Sequence, residues 1–239
     1  MNILYVVPYV PNKIRIRPYN LVRFLAARGN RVTLLTLWSN ELEQESIRQL
    51  QGDGIRVIAY PLPVWRSLLN SMIGLFSGDP IQSFYCWQPQ LARRLAELAF
   101  SPGEEFDAVH IEHLRGSRFG QYLCKRQSET SEQAGKCPPI IWDSVDCISY
   151  LFQQAAQSSQ KITSRLMTRF ELPRTQGYEA RIAQLFDQTL VTSRLDQNAF
   201  AELLPRDARQ VTILPNGVDL DYFTPVPEEE RSPDTLVIS

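Results

Sequence analysis

Apolar and polar residues alternate along this chain in two periods, and together these periods predict an α/β fold. Short runs of aliphatic and β-branched residues predict strands at residues 3–7, 31–37, 55–60, 108–111, 139–143, 189–192 and 211–214. Apolar residues at helical spacing predict helices at residues 19–28, 41–51, 66–76, 88–100, 116–125, 148–186 and 194–204. Pro173 is expected to break the long one. Strands that alternate with helices form a parallel sheet with helices on both faces.

Composition excludes several classes of function without changing this picture. The 239 residues carry a formal net charge of -1, which gives no reason to expect nucleic acid as a partner. No secretory signal and no apolar run of about 18 residues is present, so a membrane-spanning helix is not expected. Four cysteines without a C-x-x-C pair, beside two histidines, argue against zinc and for free thiols in a reducing cytoplasm.

Ligands of parallel α/β sheets bind at the carboxyl ends of the strands, so the residues after each strand are the candidates. The loop after the first strand, residues 8–18, has no glycine. It therefore lacks the Gly-x-Gly-x-x-Gly pattern of NAD- and FAD-dependent enzymes, and an oxidoreductase is disfavoured. The loop instead offers Lys13, Arg15 and Arg17 just before a helix. These cations could bind a phosphate or carboxylate, or could simply be solvated, and both interpretations stay open.

Two further strand ends carry polar residues suited to binding or proton transfer. After the fourth strand, Glu112, His113 and Arg115 could bind hydroxyl or phosphate groups, whereas His110 is interpreted as a buried histidine. After the fifth strand, Asp143 and Asp146 could accept hydrogen bonds from hydroxyls or assist proton transfer. The alternative is that Asp143 or Ser144 only caps the next helix.

The last strand is followed by Pro-Asn-Gly-Val-Asp at residues 215–219, with Phe223 and Pro225 shortly after. Asn216 and Gly217 predict a turn, because both tolerate positive φ. A charged, proline-rich linker then leads to an apolar run at residues 235–239. We interpret residues 1–224 as one domain, and residues 225–239 as an interdomain linker with the first strand of a missing second domain.

This segment resembles the "NGVD…F.P" interdomain segment of family-4 glycosyltransferases, of the exopolysaccharide-associated group-1 sugar transferase type. The basic loop at residues 8–18 resembles the opening of that subfamily, although the expected glycine is replaced, and Asp143 and Asp146 match its "D.VD" pattern. The resemblance covers nearly the whole chain. It implies an N-terminal, acceptor-side Rossmann-like domain, which is one half of the two-domain GT-B architecture.

The resemblance also implies an activity, namely retaining transfer of a sugar from a nucleotide-sugar donor to a glycan or lipid-linked acceptor in polysaccharide synthesis. The implied enzyme is cytoplasmic or lies at the inner membrane face, and it needs no metal or other cofactor. Asp146 and then Asp143 are the implied catalytic residues, and Asn216 and Gly217 lie at the interdomain cleft. The implied acceptor-binding residues are Lys13, Arg15, Arg17, Glu112, His113 and Arg115.

The donor site is expected in the absent second domain, which could be a separate chain, so this chain alone is expected to be inactive. The family's Glu-x7-Glu spacing occurs three times, at Glu97/Glu105, Glu104/Glu112 and Glu171/Glu179, so the spacing alone means little. We interpret Glu171 and Glu179 as solvated partners of Arg174 and Arg181. The alternative function is a non-catalytic glycan-binding or regulatory module that kept the cleft.

Residues 65–76 predict an amphipathic helix with Leu68, Leu69, Met72, Ile73 and Phe76 on one face. This face could lie on a bilayer surface and bring a lipid-linked acceptor to the cleft. Packing in the protein core is the favoured interpretation, because the polar face is poor in lysine.

Overall fold

A computed structural model describes residues 1–101, 103–129, 137–158, 162–220, 222–225 and 227. The strand predicted at residues 235–239 lies outside the described residues, as does most of the linker before it. In chain order the elements are β1 (Asn2–Val7), α1 (Ile16–Ala27), β2 (Arg31–Trp38), α2 (Glu41–Gly52), β3 (Arg56–Pro61), α3 (Val64–Leu75), α4 (Ile81–Tyr85), α5 (Pro89–Ala99), β4 (Ala108–Glu112), α6 (His113–Glu129), β5 (Ile140–Val145), α7 (Ile148–Ser158), α8 (Ile162–Leu185), β6 (Gln188–Val191), α9 (Arg194–Leu203) and β7 (Thr212–Ile213).

The strands form one seven-stranded sheet in the order β3-β2-β1-β4-β5-β6-β7, and every described pairing is parallel. The predicted α/β fold with a Rossmann-like parallel sheet is therefore confirmed, and the seven strands predicted within residues 1–224 are present. β1 pairs with both β2 and β4, so the strand order reverses between β1 and β4. A crevice forms outside the carboxyl ends of strands at such a switch point, and this crevice is where open α/β sheets bind ligands.

Alternate residues of β1 serve two separate cores, which places helices on both faces of the sheet. Leu4 and Val6 belong to the larger core, which includes Trp142 of β5 and residues from α5, α6 and α8. Tyr5 packs on the opposite face with residues of α1 and α2, such as Val22 and Leu50. This period of two is what a strand buried on both sides requires.

Two helices begin three residues earlier than their sequence pattern predicts, and both changes affect candidate residues. α1 starts at Ile16, so Arg17 lies in the first helical turn instead of the preceding loop. Pro18 is tolerated there because first-turn N–H groups have no intrahelical acceptor. α6 starts at His113, directly after β4, without the loop that had been expected before Gly116.

The interpretation of the long helical region was wrong in two respects. α8 continues through Pro173 instead of breaking there. Glu171 and Glu179 are buried, not solvated. Glu179 accepts hydrogen bonds from the backbone N–H groups of Ile148 (2.7 Å) and Ser149 (3.1 Å), so it satisfies the amino end of α7. The first N–H groups of a helix have no acceptor within the helix, and here a carboxylate from the neighbouring α8 accepts their hydrogen bonds.

Glu171 plays the same part for another helix. It accepts from the N–H of Ile81 at 2.8 Å, at the start of α4, and forms an ion pair with Arg174 at 2.7 Å. α4 is a short helix that no sequence pattern predicted.

The favoured packing of the amphipathic helix at residues 65–76 was also wrong. α3 buries Ser67, Asn70 and Gly74, and it leaves its large apolar side chains exposed. Among the described residues, no helix is long and apolar enough to cross a bilayer.

Candidate functional site

The carboxyl ends of β1, β4 and β5 hold a group of polar side chains that we call the switch-point cluster. They lie on the face of the sheet that α1 covers. Its members are Tyr5, Tyr9, Arg17, His110, Glu112 and Asp143.

Arg17 joins three distant parts of the chain within this cluster. Its Nε and Nη2 donate to Oδ2 of Asp143 at 3.0 and 2.8 Å, across 126 residues of sequence. Its Nη1 donates to Oδ1 of Asn216 at 2.9 Å, across 199 residues. The opening segment, the end of β5 and the segment after β7 therefore meet at one guanidinium. Arg17 itself is buried, so its charge is directed into the protein.

Asp143 is fully buried, and both of its carboxylate oxygens have partners. Oδ1 accepts from the N–H of Val145 at 3.2 Å, and Nε2 of His110 lies 3.4 Å from Oδ2. Burial alone would raise the pKa of Asp143, but His110 and Arg17 together lower it below its usual value. Asp143 thus carries a constant negative charge that holds Arg17 and orients the segment around Asn216.

Glu112 and His110 also face the interior, as alternation along β4 predicts. Glu112 accepts from the hydroxyl of Tyr5 at 2.9 Å and from the hydroxyl of Tyr9 at 3.0 Å. Burial, with a contribution from the charge of Asp143, raises the pKa of Glu112 to about 7. His110 stacks on Tyr5 with ring centroids 4.2 Å apart, which fits its interpretation as a buried histidine.

His113 and Val145 have positive φ, at 65° and 70°, and no other non-glycine residue in the described ranges does. They stand at the carboxyl ends of the neighbouring strands β4 and β5. A β-branched residue such as Val145 is strained in this region, and strained backbone is concentrated at functional sites. The register between β5 and β6 also shifts between Asp143 and Val145, just before Asp146.

His113 is neutral at physiological pH. Burial and the nearby charge of Arg115 lower its pKa to about 4. Its Nδ1 accepts from the backbone N–H of Arg115 at 3.3 Å, which leaves the proton on Nε2. A neutral His113 is therefore a hydrogen-bond donor through Nε2.

Asp146 is the more accessible of the two candidate catalytic carboxylates. It is half-buried, and Thr192 lies 3.5 Å from its Oδ1. Burial and the charge of Asp196 raise its pKa. A carboxylate with a raised pKa is a better proton acceptor, which suits the predicted role of Asp146. That role at the reacting centre stays a prediction.

A cavity of about 280 Å³ lies beside the carboxyl ends of β1 and β2, and two candidate cations line it. Arg15 pairs with Glu43 at 3.0 Å and lies 4.7 Å above the ring of Tyr9. Arg115 lies 5.3 Å from the ring centroid of Tyr85, and its buried Nε has no hydrogen-bond partner among the described residues. We call this cavity the arginine pocket, and Trp38 adds a further aromatic wall.

The remaining predicted residues lie apart from this pocket. Lys13 is exposed. Asn216 is also exposed, and Gly217 has open space around it without a positive φ, so the turn that the Asn-Gly pair predicts does not form.

A larger cavity, of about 1250 Å³, lies at the opposite side of the sheet, by the amino ends of the strands. It is lined by residues near the amino ends of strands, including Asn2, Arg31 and Arg56, and by Asp219 and Tyr222. Ligands of parallel sheets bind at the carboxyl edge, so the smaller arginine pocket is the candidate site in spite of its size.

Sequence reasoning missed the aromatic part of the site. Tyr5 lies inside a strand, and Tyr85 belongs to the short α4 that no pattern predicted. Trp38 and Tyr9, by contrast, stand at or just after strand ends, where the same rule that selected Arg15 could have found them.

No protein-family model matches this sequence, and no curated protein is detectably similar. Among solved structures, the chain is similar to LpCGTa in complex with UDP, with 14% sequence identity and a TM-score of 0.48 over 92% of this chain and 55% of that one. It is also similar to apo UGT2 of Phytolacca americana, with 13% identity and a TM-score of 0.41 over 83% of this chain and 47% of that one. The chain spans about half the length of these two proteins.

Proposed function

We propose that this chain is the acceptor-side domain of a retaining, GT-B type glycosyltransferase that moves a sugar from a nucleotide-sugar donor to a glycan or lipid-linked acceptor. The observation that carries the proposal is the contact of Arg17 with Asp143 and Asn216. These residues belong to the three segments that resemble family-4 glycosyltransferases. All three segments stand at or follow strand ends and therefore lie at the carboxyl ends of the sheet, and Arg17 joins them there by direct hydrogen bonds across 126 and 199 residues of chain.

The proposed site has two groups of residues, a buried group that positions the others and a more accessible group that contacts the substrate. Arg17 and Asp143 act as positioning residues, because both are buried and satisfy each other. Asp146 is the proposed catalytic group, which accepts a hydrogen bond or a proton from a reacting hydroxyl. Arg115, Arg15 and the neutral His113 bind the acceptor, with the arginines suited to a phosphate or carboxylate on it.

The donor site is proposed to belong to a second domain. The Glu-x7-Glu pair at Glu171 and Glu179 caps helices inside this domain, so it is not available to a donor sugar. The first loop lacks the glycines that bring backbone close to a diphosphate. Stabilisation of the departing nucleoside diphosphate is the larger part of the chemistry, and it would come from the second domain.

Calorimetric titration tests this division. The chain is expected to show no binding to UDP-, GDP- or TDP-sugars at low salt. It is expected to bind a simple sugar phosphate, and Arg115→Gln should weaken that binding by about 10- to 100-fold, because hydrogen bonds to charged groups contribute about 1.5–3 kcal/mol. Arg93→Gln is the matched control, since Arg93 is exposed on α5. Micromolar binding of a nucleotide-sugar would contradict the proposed division.

The catalytic role needs an assay of transfer in the protein that carries both domains. Asp146→Asn is expected to lower kcat by about 10²- to 10⁴-fold, the usual contribution of a positioned acid or base. Asp207→Asn, at an exposed position, should leave kcat unchanged. Retained glycan binding without any transfer in the unaltered protein would instead indicate a binding or regulatory module.

A further inference from the structure

Helix α3 is packed with its polar side inward. Ser67 and Asn70 are 3% and 6% exposed, and Gly74 is also buried. Asn70 donates to the backbone carbonyls of Tyr85 (3.3 Å) and Trp87 (2.9 Å), which fixes this side of the helix against the segment that contains α4. A side chain at Gly74 would approach Phe84 to 3.0 Å, so the contact is close as well as polar.

The opposite side of α3 presents large apolar side chains to water. Leu68 is 60% exposed, Met72 is 61% exposed and Phe76 is 87% exposed. These residues recur at helical spacing on one face. In a helix on the surface of a globular protein this face would be turned to the core, so its exposure requires an occupant.

The first part of α8 shows the same inversion. Thr168, Glu171 and Thr175 are buried, whereas Leu166, Met167 and Phe170 are exposed.

The two helices adjoin through Arg174, whose guanidinium donates to the carbonyls of Gly74 and Ser77 and lies 4.7 Å above the ring of Phe170. We call the joint surface the apolar face. It consists of Trp65, Leu68, Leu69, Met72, Ile73, Phe76, Leu166, Met167 and Phe170.

The charges on these two segments are all of one sign. Residues 64–76 and 162–170 contain Arg66, Arg165 and Arg169 and no acidic residue, although the whole chain is slightly acidic. Arg66 lies 5.2 Å from the ring centroid of Trp65. A tryptophan and arginines at the border of an apolar helix face suit the headgroup region of a bilayer, where amphipathic side chains accumulate.

We propose that the apolar face docks this domain on the surface of an anionic lipid bilayer. The apolar side chains would enter the headgroup boundary, and the three arginines would approach anionic lipids. Docking itself needs no sugar chemistry. Its link to acceptor access rests on the proposed function: Val64 and Ser67 of α3 also line the arginine pocket, so docking would bring the pocket close to a lipid-linked acceptor.

Co-sedimentation with vesicles tests the proposal directly. The chain is expected to bind vesicles that contain phosphatidylglycerol, with lower affinity as salt rises, and to bind pure phosphatidylcholine vesicles more weakly. Leu68→Glu and Met72→Glu should each weaken binding about tenfold or more, because a buried aliphatic side chain is lost. Arg169→Gln should weaken binding to anionic vesicles alone, by about fivefold.

Leu42→Glu is the matched control, because Leu42 is 82% exposed on α2, outside the apolar face. It should bind as the unaltered chain does, and circular dichroism should show that all variants stay folded. The proposal is overturned if the folded chain binds no anionic vesicles, or if Leu68→Glu binds as well as Leu42→Glu does. It is also overturned if the chain binds no vesicles and instead forms dimers that Leu68→Glu dissociates. Failure of the sugar titrations would leave these outcomes unaffected.

Discussion

Replacement of Arg17 by methionine removes the cation from the buried ion pair and keeps much of the side-chain volume. The two side chains are 7% and 0% exposed, with Nη2 and Oδ2 of Asp143 2.8 Å apart. At an effective dielectric constant of about 20 the attraction is about 6 kcal/mol, part of which offsets desolvation of the two charges. Loss of one partner from a buried pair typically costs about 3–5 kcal/mol. We expect Arg17→Met to lower the free energy of unfolding by that amount at pH 7.

The pH dependence of this loss follows from the pKa of Asp143. In the native chain this pKa is lowered, so the stabilisation is present above the unfolded value near 3.9 and disappears as pH falls through the folded value. Without Arg17, only His110 opposes the effect of burial, so the pKa of Asp143 should rise from its native value. Arg17→Met should therefore regain stability relative to the native chain as pH falls from 7 towards 4.

Urea denaturation at pH 7 and pH 5, followed by tryptophan fluorescence, measures both effects. Arg93→Met is the control at an exposed position and should change the free energy of unfolding by less than about 0.5 kcal/mol. A double-mutant cycle with Asp143→Asn should give a coupling energy of about 2 kcal/mol or more. A loss below about 1 kcal/mol at pH 7, without coupling, would refute the reasoning, since it would mean that Asp143 is solvated.

Three other predictions have defined outcomes. Gly120→Ala should lower the free energy of unfolding by about 1–3 kcal/mol, because its Cβ would lie 2.6 Å from Phe186. Gly177→Ala, with nothing within 4 Å of its Cβ, should raise the free energy of unfolding by about 0.5–1 kcal/mol. Similar urea midpoints for the two variants would contradict this prediction. The folded pKa of Glu112, about 7, lies above its unfolded value, so the native chain should lose stability as pH rises from about 4.5 to 7. Glu112→Gln should remove this loss, and an unchanged slope of stability against pH would count against burial as the cause of the raised pKa. Glu179→Ala should speed amide hydrogen exchange at Ile148, whose N–H loses its acceptor, and unchanged exchange would show that water replaces the carboxylate.

The sheet could be predicted because its signal is local. Each strand is a short apolar run bounded by glycine, proline or polar residues, and the alternation of strands and helices restricts the topology to a parallel sheet. The strand-end rule then selected Arg17, Asp143 and Asn216 as candidates. Helix starts were less certain, because Pro18 is compatible with both a loop and a first helical turn.

Helix orientation could not be predicted in the same way. The spacing of Leu68 and Met72 shows that α3 has an apolar face, but it does not say whether that face meets the core or the solvent. Glu171 and Glu179 were expected to be exposed, because glutamates in a long helix usually are, but both are buried. Only the position of α8 beside the starts of α4 and α7 makes them buried caps.

By itself the sequence determined the fold class, the strand ends and most of the charged residues that lie at the carboxyl ends of the strands. These properties depend on periodicity within a few residues. The tertiary structure alone decided which of those residues meet: Arg17 pairs with Asp143 and Asn216, and Arg115 lines a separate pocket. Such pairings depend on strand order and helix packing across 126 and 199 residues of chain, and no local pattern encodes that distance.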